Sequence, residues 1–136
     1  MSTTAALGYV IHYVEDVHKT LSFYHNAFGF EIRFVSPDDD YGELNTGSTT
    51  LAFARHPLAT SNLAQPYSAT SMQSPPPGIE IGVVCKDVET FVQRAIEQGA
   101  TLETAPKTKP WGQVVAYVRD PDGNKLCALY RPKPAA

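Results

Sequence analysis

The chain has 136 residues, enough for one compact domain with a real core. Hydrophobic residues make up 43% and charged residues 18%, an ordinary balance for a globular protein, and a net charge of −3 leaves no electrostatic footprint for nucleic acid or an anionic membrane. The opening MSTTAALGYV has neither a basic region nor a long apolar run, so neither a signal peptide nor a membrane span is expected and the chain reads as cytoplasmic.

In chain order, GYVIHYV is a strand of mostly β-branched and aromatic residues. EDVHKTLSFYHNAFGF is helical: Asp16 is a good N-cap, Val17, Leu21, Tyr24 and Phe28 share a face, and Gly29 stands where a left-handed C-terminal residue belongs. FEIRFVS, YGELNT and TTLAFAR follow as strands, giving β-α-β-β-β. The order recurs from Ile79. IEIGVVC is a strand, Asp87 caps a helix carrying Val88, Phe91, Val92, Ala95 and Ile96 at helical spacing, and Gly99 ends it. TLETA, GQVVAYVRD and KLCALYR are the last strands, the final pair joined by the turn DPDGN. Cys85 and Cys127 both fall on strand-like segments and read as free buried thiols rather than a disulfide.

The two halves share local wording. VEDV at Val14–Val17 matches CKDV at Cys85–Val88, YGEL at Tyr41–Leu44 matches WGQV at Trp111–Val114, and TLAFARHP matches KLCALYRP. Such an internal repeat decides the fold class. Two tandem βαβββ modules are too few for a solenoid, but they suit an α+β fold with a curved mixed sheet around a cavity and helices outside. The chain is thus one domain over 1–136: module 1 about 7–57, a Pro/Ser-rich connector about 58–78, and module 2 about 79–132. A connector of this length is unusual inside a compact domain, so it reads as a lid or a crossover between modules or subunits, with a disordered linker as the plain alternative.

With the repeat in hand, YVEDVHKTLSFYHNAFGFEI and RDPDGNKLCAL make the chain resemble the vicinal oxygen chelate superfamily of glyoxalase I, fosfomycin-resistance proteins, extradiol dioxygenases and bleomycin-resistance proteins. The resemblance spans about Leu7 to Pro132. It implies a homodimer and a small-molecule site, and in metal-dependent members a divalent ion held by four strand positions. Those positions fall here on Tyr9, Ala52, Glu80 and Cys127. A hard ion wants several oxygen ligands, and zinc needs a third protein ligand beside Glu80 and Cys127. The histidines do not complete the set: His12 faces away from Tyr9, His18 and His25 are helical, and His56 ends a strand. The reading is therefore no cofactor and no metal, with a divalent metal as the alternative.

Strand alternation extends the pocket list. Tyr9, Ile11 and Tyr13 share a face, as do Thr50 with Ala52, Gln113 with Val115 and Tyr117, and Cys127 with Leu129. Glu43 is placed inside by its match to Gln113, and KPWGQ, which resembles a segment of bleomycin-resistance proteins, puts Trp111 at the pocket mouth. The expected ligand-binding set is Tyr9, Glu43, Thr50, Ala52, Glu80, Trp111, Gln113, Tyr117 and Cys127, with Trp111 and Tyr117 sandwiching a planar group. Aromatic faces and two carboxylates suit an aromatic or cationic small molecule, unless Arg33 or Arg55 pairs internally with the carboxylates. The leading function is a glyoxalase/bleomycin-resistance-like binder rather than an enzyme. The alternative is a glyoxalase I-like lyase or isomerase with Glu80 as general base and a metal or Tyr9 as electrophile.

Overall fold

A computed structural model describes residues 4–130. Arg131 and Pro132, which end the repeated wording, and Met1 to Thr3 lie outside the described residues. The chain divides into two units, residues 1–25 with 29–69, and residues 26–28 with 70–136.

The first unit contains β1 (Tyr9–Val14), α1 (Val17–Phe28) apart from its last turn, β2 (Ile32–Val35), β3 (Tyr41–Leu44), β4 (Thr50–Arg55) and α2 (His56–Asn62). Its four strands run β1-β4-β3-β2, with β1 and β4 parallel and the other pairs antiparallel. The cap of α1 follows the sequence: the Asp16 side chain accepts from the Lys19 N–H at 3.1 Å, and Gly29 closes the helix at φ +79°. One face of the sheet, carrying Leu44, Leu51 and Phe53, is buried against α1. Tyr24 stacks on Phe53 at 5.3 Å. The close approach depends on Gly42, where a Cβ would lie 2.6 Å from Leu21 Cδ1 and 2.9 Å from Val17 Cγ1.

The second unit repeats this plan with β5 (Glu80–Val84), α3 (Val88–Glu97), β6 (Thr101–Thr108), β7 (Val114–Arg119) and β8 (Lys125–Tyr130), in the order β5-β8-β7-β6. Asp87 accepts from both the Thr90 N–H and the Thr90 hydroxyl, which hold its carboxyl below the usual range. Val83, Ala116, Val118, Leu126 and Ala128 bury one sheet face against Val88, Val92 and Ala95 of α3. Both cysteines are free and buried, as their strand contexts suggest.

The expected α+β repeat is therefore present as two four-stranded mixed sheets with three helices. Two details differ from the sequence reading. First, the chain does not enter an irregular connector after β4. It turns into α2, with Pro57 in the first turn, where a missing N–H costs nothing. Second, the match of YGEL with WGQV is out of register. Ala52 pairs with Glu43 and Cys127 pairs with Tyr117, so Tyr117, not Gln113, is the counterpart of Glu43.

The later part of the connector is fixed to the second unit. Arg119, only 7% exposed, donates from Nη2 to the Ser71 and Ser74 carbonyls at 2.9 and 2.8 Å, and from Nε and Nη2 to the Gly123 carbonyl. Gly123 sits at φ +98°, and a Cβ there would come within 2.6 Å of the Ser71 carbonyl carbon. The DPDGN turn is thus built to receive this segment, which is not a disordered linker.

Candidate functional site

Each sheet has a second face, opposite its helix, and the sequence-predicted residues gather there. In the first unit, register puts Tyr9 beside Thr50, Ile11 beside Ala52, and Ala52 beside Glu43. A β-bulge in β2 leaves Arg33 as the extra residue opposite β3, which re-aims its side chain across the sheet. Arg33 donates from Nε and Nη2 to Glu43 Oε1 at 3.1 and 3.0 Å, and from Nη2 to Thr50 Oγ1 at 2.6 Å. The Tyr41 hydroxyl donates to the other Glu43 oxygen at 2.7 Å. Burial and that hydrogen bond push the Tyr41 phenol above its ordinary range. Around this network stand exposed apolar groups: Tyr9 (55%), Ile11 (42%) and Phe34 (47%). Ala52 is fully buried and forms floor rather than wall.

In the second unit, Glu80, Tyr117 and Cys127 come together on the face opposite α3. The Cys127 thiol feels both the Glu80 carboxylate and the Tyr117 hydroxyl beside it. Burial, and next the Glu80 charge, push Cys127 up to about 11. It is a neutral thiol at pH 7 and no activated nucleophile. Tyr117 is raised by Cys127 and Glu80 beside it, and Lys125 Nζ lies 6.0 Å from its ring. The face thus combines a phenol, a thiol and a carboxylate with one nearby ammonium, Lys125.

Trp111 and Gln113 do not join this group. Trp111 is 68% exposed in the turn between β6 and β7, and its indole N–H donates to Gln113 Oε1 at 2.9 Å. Tyr117 lies mid-strand, roughly 10 Å or more along the hairpin at the usual strand rise, so the pair cannot sandwich one ring. The second unit also has a cleft of about 380 Å³ on the α3 side, lined by Lys86, Asp87, Glu89, Thr108 and Tyr130 among others. None of the sequence-predicted site residues lines it.

The sequence reading missed Tyr41 and Phe34 and left open whether the carboxylates meet a cationic ligand or pair internally with Arg33 or Arg55; Glu43 pairs with Arg33. The bulge that brings Arg33 onto this face has no sequence signal; a Glu on a strand two residues from Tyr is the hint that a buried carboxylate was already partnered.

A family model described as Glyoxalase/Bleomycin resistance protein/Dioxygenase superfamily matches residues 6–128. The chain belongs to this superfamily. Among solved structures, a superfamily enzyme from Burkholderia phytofirmans PsJN is 23% identical with a TM-score of 0.74, covering 93% of this chain and 98% of its own. A glyoxalase-related enzyme from Fulvimarina pelagi is 18% identical with a TM-score of 0.80, covering 96% of this chain and 93% of its own. TioX from Micromonospora sp. ML1 is 20% identical with a TM-score of 0.68, covering 94% of this chain and all of its own. At these identities the superfamily likeness is one of fold. No curated protein matches the chain.

The divalent ion implied for metal-dependent superfamily members does not fit the donors present. Among the described residues, no group of three or more His, Cys, Asp and Glu side chains could hold a metal ion. Glu43 is committed to Arg33 and Tyr41. The histidines are engaged elsewhere: His18 with Asp39, His25 with the Phe30 carbonyl, His56 with Tyr67, while His12 packs edge-on to Phe53 on the α1 side. No helix among the described residues is long and apolar enough to cross a membrane.

Proposed function

We propose that the protein binds a small planar aromatic molecule, without a metal, on the face of the first sheet opposite α1. The observation that carries this reading is the pairing of exposed Tyr9, Ile11 and Phe34 with a polar network already satisfied within itself. Flat apolar side chains offer stacking area, and the Arg33–Glu43–Tyr41–Thr50 network holds the face rigid without an unpaired buried charge to neutralise. Taken by itself, the second sheet carries an exposed carboxylate, Glu80, beside an aromatic ring, a combination that favours a cationic group on that face. Catalysis as a lyase is the second reading, with Glu80 as general base and its register partner Lys125 as the nearest cationic group on that face. We further propose a cytoplasmic homodimer with no nucleic-acid or membrane partner, in keeping with the net charge of −3 and the apolar area on these faces.

The test is calorimetric titration with 9-aminoacridine, a planar cation, and acridine, its neutral counterpart at pH 7.5. Both should bind, and Tyr9→Ala should weaken both by roughly 5- to 50-fold, the loss of one aromatic face. Failure of both probes to bind, or indifference to Tyr9→Ala, contradicts the reading. Light scattering at micromolar concentration checks the dimer; a monomer contradicts it.

A further inference from the structure

Beyond α2, the connector meets the first unit through Tyr67. Its hydroxyl lies 2.6 Å from His56 Nδ1, and its ring stacks on the imidazole at 5.8 Å. The same ring meets Tyr13 at 4.8 Å with a 58° tilt. Tyr13 belongs to the face opposite α1, because it pairs with Ala54, which in turn pairs with Tyr41. The Tyr67 ring therefore closes one end of the row Tyr9, Ile11, Tyr13. Its anchor is firm: His56 opens α2 directly after β4, so it cannot shift without moving both elements. Tyr67 is partly buried, whereas Leu63 and Gln65 on the same segment are exposed. A segment that merely spanned a gap would need none of these partners.

We propose that Tyr67 is a specificity-determining wall of the ligand face and that His56 is the positioning residue that holds it there. This rests on the binding reading above. The Tyr13–Tyr67 pair is an aromatic corner, and a planar ligand lying along the row meets it with its apolar end. At the opposite end, Thr50 and the Arg33 guanidinium stand beside Tyr9. The ligand class is then an amphipathic planar molecule: fused or linked aromatic rings toward Tyr67, hydrogen-bonding groups toward Thr50. The connector limits the length of such a molecule, which neither sheet can do alone.

The experiment has two arms. In the first, chymotrypsin cleavage after Leu63 is followed by mass spectrometry without any ligand. Wild type is cut slowly, His56→Ala is cut about tenfold faster or more, and Tyr67→Phe, which keeps the ring but loses the hydroxyl, falls between them. In the second, 9-aminoacridine and acridine are titrated into wild type, Tyr67→Ala, Tyr67→Phe and the exposed control Gln65→Ala. Tyr67→Ala loses roughly 5- to 50-fold for both probes, while Tyr67→Phe and Gln65→Ala stay within about threefold. Equal cleavage of wild type and His56→Ala overturns the anchor. Unchanged probe affinity in Tyr67→Ala, with wild type binding normally, overturns the wall. Absence of probe binding in wild type refutes the binding reading and the wall with it, and the cleavage arm then decides the anchor alone.

Discussion

The two helix-distal faces are built on one plan and carry opposite chemistry. In the first unit, the position paired to β1 and β3 is Ala52, and its β3 neighbour Glu43 is locked to an arginine and a tyrosine. In the second, the same position is Cys127, its neighbour is Tyr117, and the carboxylate, Glu80, comes from the edge strand β5. The first face has closed its polar groups among themselves and shows apolar surface. The second leaves a carboxylate exposed beside a buried thiol. The comparison teaches that the repeat keeps the aspartate N-caps and the strand register, while the faces opposite the helices answer to no such demand and diverge.

The largest expected effect separates the two arginines. Arg119 is buried and serves three backbone carbonyls, so Arg119→Ala should destabilise the protein by about 3 kcal/mol or more in urea unfolding. Arg33 has a side chain 40% exposed, so solvent screening should limit Arg33→Ala to about 1 kcal/mol. Equal losses would show that the first network matters as much to folding as the connector clasp does.

A smaller effect separates the two carboxylates. Glu43→Gln removes the charge facing Arg33, replaces one of the two acceptor oxygens with a donor and should cost about 1 kcal/mol of stability, whereas Glu80→Gln should change stability by less than about 0.5 kcal/mol. In titrations, Glu80→Gln should weaken 9-aminoacridine more than acridine. Equal weakening would remove any cation-binding role from the second face.

An effect confined to alkaline pH is the pH dependence of Cys127. Its folded value is raised to about 11 from an ordinary 9, so the folded state holds the proton longer than the unfolded chain. The stability this contributes is full below pH 9 and is lost as pH rises from about 9 towards 11. Cys127→Ala, which gives the second unit the residue of the first, should shallow that slope. Cys85, and above pH 10 the raised Tyr41 and Tyr117, should supply what slope remains. A slope unchanged in Cys127→Ala would contradict the burial argument.

How far the sequence could be read follows the same division. Asp16, Asp87 and Gly29 signal helix ends through local backbone chemistry, and the alternation around Tyr9 and Cys127 signals strand faces; all of these appear as expected. Local wording failed at YGEL and WGQV, because a shared Gly between an aromatic and a polar residue fixes no register; pairing across strands does, and that is non-local. The bulge at Arg33, the Arg119 clasp on Ser71 and the Tyr67 anchor all join residues far apart in sequence or depend on backbone irregularity. Trp111 read as a pocket residue by motif alone, and a motif says nothing of the length of the hairpin that carries it.

The claim on which the rest depends is recognition of a planar ligand by side chains alone. It is tested most directly by the dissociation constant for 9-aminoacridine of chelator-stripped protein, measured before and after one equivalent of Zn²⁺, Ni²⁺ or Mn²⁺. The donor set predicts the same constant in every case, with no stoichiometric metal retained after desalting. Binding that appears only with a metal, and is lost again in Glu80→Gln, would contradict it.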